Sequence, residues 1–138
     1  MDYRKLDGSH MDQLWELQMA YKAEIGEAEP GERERARLQA AIENVQITFY
    51  GAWAGTTLIG CCSITAGFST FDYSQSGVFE DFYMRLEYRH KGIARQLVQY
   101  AYHESGVSTM TVGCAECDMQ MYQSLGFSIK LGNLLAFE

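Results

Sequence analysis

The chain has a single proline, Pro30, and no apolar run of the roughly eighteen residues that a membrane-crossing helix needs. Its opening, Met1-Asp2-Tyr3-Arg4-Lys5-Leu6, lacks the apolar block of an export signal, so a cytoplasmic protein with no membrane partner is expected. Positive charge is scarce: 11 Lys and Arg stand against 18 Asp and Glu, a net −7. That balance excludes nucleic acid as a partner, because phosphates demand clustered cations over a wide face, and it favours a cationic partner instead. Four cysteines without an export signal (Cys61, Cys62, Cys114 and Cys117) read as reduced thiols rather than a disulfide framework. Internal repeats and low-complexity tracts are absent as well.

What is present suits one domain spanning residues 1–138, with 47% of its residues apolar. Tyr3 to Leu6 reads as a strand. Leu14, Leu17 and Tyr21 after the cap candidate Ser9 predict a helix, and Leu38, Ala41, Ile42 and Val45 predict a second beyond the Gly26–Gly31 connector. Ile47–Tyr50 and Leu58–Ile64 flank a turn at Ala54-Gly55 and predict a hairpin. After a connection from Ser69 to Gly77, Val78–Met84 has apolar residues in both alternation phases, as a central strand does. A helix from Gly92 to His103, a strand at Met110–Val112, a short helix from Met119 to Leu125 and closing strand material from Ser128 to Phe137 complete the order. The expected fold class is α/β, a mixed sheet with helices on its faces in the order β-α-α-β-β-β-α-β-α-β.

Four of the eleven cationic residues, Arg85, Arg89, Lys91 and Arg95, fall between positions 85 and 95, where the central strand passes into its helix. Gly92 and Ala94 there let a backbone approach a ligand closely, and the first amides of a helix suit phosphate oxygens. Arg89, Lys91 and Arg95 would add charge-assisted hydrogen bonds. Spacing alone leaves an ordinary strand-to-helix turn with solvated cations equally open.

Arg89-x-x-Gly92-x-Ala94 resembles the R/Q-x-x-G-x-G/A motif of the GNAT superfamily of acetyl-CoA-dependent N-acetyltransferases. Glu80 to Tyr88 resembles the bulged strand that precedes that motif, with Leu86 replacing a frequent proline. Met121-Tyr122-Gln123-Ser124-Leu125-Gly126-Phe127 resembles the family's second motif. Ala115 and Asp118 depart from its usual Asn and Ala. The resemblance implies acetyl-CoA as cosubstrate, its diphosphate held by Arg89, His90, Lys91, Gly92, Ile93, Ala94 and Arg95, and its pantetheine paired with main chain at Phe82 and Met84. It also implies a strand splay ending near Gly113.

Acetyl transfer to an amine needs a neutral nucleophile, a stabilised carbonyl oxygen and a proton for the leaving thiolate. Strict alternation would place Glu80 with Val78, Phe82 and Met84 on one face and Asp81 with Phe79 and Tyr83 on the other, each acid in an apolar row. Desolvation there would raise a carboxyl pKa towards working pH. Glu80 is therefore the first candidate base and Asp81 the second; either can instead cap backbone or pair with an Arg. Both resemble the acidic pair that helps hold a cationic acceptor in polyamine-type relatives. Tyr122 is the candidate acid, and the amide of Met84 the candidate oxyanion donor. Phe68, Phe71 and Tyr73, with Trp15 and Tyr21, are candidates for an acceptor pocket or for core. Cys114-x-x-Cys117 lacks the second ligand pair of a metal site, and no metal is expected.

The expected function is acetylation of a primary amine on a small cationic molecule; a non-catalytic acyl-CoA sensor is the alternative. A nucleotide-phosphate binder is a third. Monomer and homodimer both stay open.

Overall fold

The computed structural model describes residues 1–138. Its elements are β1 (Asp2–Lys5), α1 (Met11–Glu24), α2 (Glu32–Glu43), β2 (Thr48–Ala54), β3 (Thr57–Ser69), β4 (Ser74–Met84), α3 (Ile93–Ser105), β5 (Thr109–Val112) and α4 (Met119–Ser124). The strands form one sheet in the order β1-β2-β3-β4-β5, antiparallel except for the parallel pair β4–β5. A parallel pair requires a crossover, which α3 supplies.

Both faces of the sheet are covered. On one, Leu6, Leu14, Leu17, Phe49, Trp53 and Leu58 join α1 and α2 to the sheet. On the other, Ile59, Cys62, Phe79 and Met84 meet Ile93, Leu97, Val98 and Ala101 of α3. The four α3 residues follow one helical stripe, and Gly106 at φ +71° ends the helix in a left-handed turn. Each fully buried aliphatic or aromatic side chain contributes about 1.5–3 kcal/mol.

Local chemistry moves three boundaries. Asp7, rather than Ser9, caps the approach to α1, accepting the Ser9 amide at 2.8 Å while its own N–H donates to His10 Nδ1 at 3.0 Å. Val45 lies beyond the end of α2, exposed, with φ +56°. The expected connection from Ser69 to Gly77 is largely a hairpin: β3 and β4 continue past the last β2 partner, Thr48↔Ile64, out to Ser69↔Ser74.

The expected closing strand from Ser128 to Phe137 does not form. Ile129, Leu131, Leu134, Leu135 and Phe137 are all at least 77% exposed. Glycines at φ +116° (Gly126) and +110° (Gly132) interrupt the extended run, and β5 stays the sheet edge.

Candidate active site

The site begins with an irregularity in β4. Cys61 pairs with Tyr83 and Ser63 with Glu80, so Asp81 and Phe82 together oppose Cys62. Asp81 takes up the extra residue at φ +54°, a conformation to which short polar side chains are suited. The bulge resets the alternation: Phe79, Phe82 and Met84 pack in the α3 cluster, whereas Tyr83 packs against the α1 cluster. The expected apolar rows around the two acids are thereby corrected. Glu80 is exposed, and Asp81 is half-buried with Ser63 Oγ donating to its Oδ2 at 2.7 Å. Ser63 itself is fully buried.

β5 then leaves β4. Their ladder ends at Phe79↔Val112, but β4 runs on to Met84. The N–H of Arg85 donates to Ile59 O on β3 at 2.9 Å. Strand alternation accordingly turns the amides of Met84 and Phe82 towards the edge that β5 has vacated. The result is a wedge with free main-chain donors on one wall, the splay expected near Gly113. Gly60 makes room for the Met84 side chain on its floor, since a Cβ there would meet the Met84 sulfur at 2.6 Å.

The wedge opens towards the start of α3. His90 and Gly92 adopt φ +62° and +81°, curling the chain so that successive amides point inward. No side chain caps α3, and its ladder starts with Gln96 N–H to Gly92 O at 3.3 Å. The amides of Ile93, Ala94 and Arg95 precede that ladder and carry the positive end of the helix dipole. A Cβ built on Gly92 meets nothing within 4 Å, so a ligand can approach this backbone. These features suit a phosphate group.

The cations around the loop are arranged differently from expectation. Arg89 donates through Nε to Met84 O at 2.7 Å and through Nη2 to both oxygens of Glu24 at 2.8 and 3.1 Å. Its guanidinium lies 5.5 Å from the Tyr83 ring centroid. Arg95 donates to Ser124 O at 2.8 Å, joining α3 to α4, and Arg85 lies 3.7 Å from Glu16. The side chains of Arg89 and Arg95 thus brace elements of the fold. His90 and Lys91 remain exposed, with the Lys91 ammonium 5.9 Å from the Tyr88 ring centroid.

Three elements converge at the bulge. Tyr21 of α1 meets Tyr83 edge-on at 6.4 Å, and Tyr122 of α4 meets Phe82 edge-on at 6.4 Å. Burial pushes the Tyr122 phenol up to about 12, with Tyr21, Asp118, Cys114 and Asp81 adding in the same direction. Burial also raises Tyr21, with Asp81 the next contributor. Both phenols keep their protons at neutral pH.

Tyr122 thus lies against Phe82 and near Asp81 beside the cleft between β4 and β5, with Glu80 exposed next to Asp81. Trp15 packs at the margin of the α1 cluster, where the Arg35 guanidinium lies 6.0 Å away. Phe68, Phe71 and Tyr73 do not join the cleft: they stand exposed at the hairpin tip, at the other end of β4. Sequence reasoning missed Tyr83, Ser63 and Glu24. Ser63 is matched to the acids only by strand register, and Glu24 lies 65 residues from its arginine.

The fold and this cleft define an acyltransferase class. The acetyltransferase (GNAT) domain family matches residues 46–129, and the chain belongs to that family. The structure resembles a probable acetyltransferase at a TM-score of 0.83 and 24% identity, covering 100% of this chain and 99% of that one. It also resembles an aminoglycoside acetyltransferase from an uncultured soil metagenomic sample, solved with sisomicin (TM-score 0.83, 12% identity, 99% and 94% coverage). A predicted acetyltransferase from Clostridium acetobutylicum, solved with acetyl-CoA, gives a TM-score of 0.76 at 18% identity, with 99% and 95% coverage. A search of curated proteins by sequence finds no match. No helix is long and apolar enough to cross a membrane.

Proposed function

We propose that residues 1–138 form one cytoplasmic acetyltransferase unit that moves the acetyl group of acetyl-CoA to a primary amine on a small cationic acceptor. The observation that carries this reading is the wedge between β4 and β5 opening onto an uncapped helix start. Acetyl-CoA supplies the activated acyl group as a thioester. The curled amides around Gly92 and the exposed Lys91 and His90 bind its diphosphate, while main chain at Phe82 and Met84 pairs with its arm. The Met84 amide faces the acyl oxygen as it gains charge.

Asp81, oriented by Ser63, keeps one carboxylate oxygen free to attract the acceptor ammonium and take its proton. Glu80, exposed beside it, supplies a second negative charge or a route through water. Tyr122 holds a proton available for the departing thiolate. Acetyl-CoA turnover over a panel of amines tests the reading; release of CoA without any acetylated amine contradicts it. The alternative acyl-CoA sensor draws on Ala115 and Asp118, which depart from the family's usual Asn and Ala at those positions. It requires CoA binding with no turnover on the whole panel.

A further inference from the structure

Arg89 opens the loop before α3, and its side chain makes three contacts. One is Met84 O on the wedge wall, the second the face of Tyr83, and the third the carboxylate of Glu24 in the last turn of α1. Tyr21 lies one turn earlier on α1 and meets the same Tyr83 ring edge-on at 6.4 Å. The Arg89–Glu24 pair thus ties the last turn of α1 to the loop, while Arg85 lies 3.7 Å from Glu16 nearer the middle of the helix. The connector that joins α1 to α2 follows directly after this turn.

We propose, resting on the acetyl-transfer reading, that Glu24 is a positioning residue for the acceptor: through Arg89 it holds the last turn of α1, and with it Tyr21, against Tyr83 beside Asp81. Tyr21 then forms an aromatic wall for the acceptor amine opposite the Asp81 carboxylate, an arrangement that suits an ammonium flanked by carbon rather than a peptide backbone. The ion pair itself is partly exposed and adds little to global stability. Its contribution is geometric, fixing one wall of the pocket relative to the loop that holds the cosubstrate.

The test compares wild type with Glu24→Gln and Glu24→Asp in the full chain. For Glu24→Gln the acceptor KM is expected to rise about five- to tenfold, with kcat and the Kd for CoA changed less than about twofold. Glu24→Asp recovers part of the loss. Hydrogen exchange of the Tyr21–Glu24 amides is expected to speed up in Glu24→Gln while the amides of α3 are unaffected. An unchanged acceptor KM, or a loss of CoA affinity equal to the loss for the acceptor, overturns the proposal. If wild type acetylates no amine, the acetyl-transfer reading fails instead, and unchanged exchange in α1 would then overturn the coupling on its own.

Discussion

The two ends of β4 are both rich in aromatic residues, yet they do opposite things. At the wedge end, Phe79, Phe82 and Tyr83 are packed by α3, α4 and α1, and a bulge turns Asp81 into the gap. At the hairpin end, Phe68, Phe71 and Tyr73 project from a two-stranded arm into solvent, 69–95% exposed. Aromatic content therefore says little about a site. What separates the ends is convergence: three elements meet at the first and none at the second.

The sharpest way to break that contrast is Tyr122→Phe, which removes one oxygen from the crowded end. kcat is expected to fall about 10²- to 10⁴-fold, as for loss of a general acid, with CoA binding nearly intact. Stopped-flow turnover with direct binding in parallel checks it; an unchanged kcat would remove Tyr122 from the mechanism. Next in size is packing. Phe79→Ala should cost about 3–5 kcal/mol of unfolding free energy, whereas Phe71→Ala at the arm tip should stay within about 0.5 kcal/mol. Urea unfolding of the pair measures both, and similar losses would show that the arm is packed in solution.

Alkaline pH gives a smaller, directional effect. Tyr122 and Tyr50 are both raised to about 12 from 10.0, chiefly by burial. The folded chain therefore keeps protons that the unfolded chain releases. Stability from these groups is present in full below pH 10 and is lost as pH rises from 10 towards 12. Unfolding curves should show this loss, and it should be shallower in Tyr122→Phe. The smallest perturbation is chemical labelling: an alkylating reagent should modify the exposed Cys114 and Cys117 in the native protein and reach the buried Cys61 and Cys62 only after denaturation. Burial raises both buried thiols, so neither offers a thiolate.

Much of this was readable in the residues. The α3 stripe of Ile93, Leu97 and Ala101 and the small residues Gly92 and Ala94 announced a helix beginning at a ligand loop, because both signals are local. Strand alternation failed at Glu80, since one left-handed residue at Asp81 shifts every side chain beyond it to the other face. The side-chain partners of the cation cluster were hidden for a different reason. The partners of Arg89 and Arg95, Glu24 and Ser124, are 65 and 29 residues away, and no window of sequence brings them together. The tail after Phe127 carries strand-like residues but has no ladder to join.

Every step of the proposed reaction depends on the curled amides from Arg89 to Arg95 holding a diphosphate. Isothermal titration of coenzyme A into wild type and Gly92→Glu tests it most directly, because the variant places a carboxylate in the cradle; a Cβ at Gly92 meets open space but is strained at φ +81°, so Gly92→Ala serves as the control for that strain. Saturable binding to wild type is expected, with affinity weaker by more than about a hundredfold in Gly92→Glu, or roughly 2.7 kcal/mol. Equal affinities in the two proteins, or no binding to wild type at millimolar coenzyme A, would contradict it.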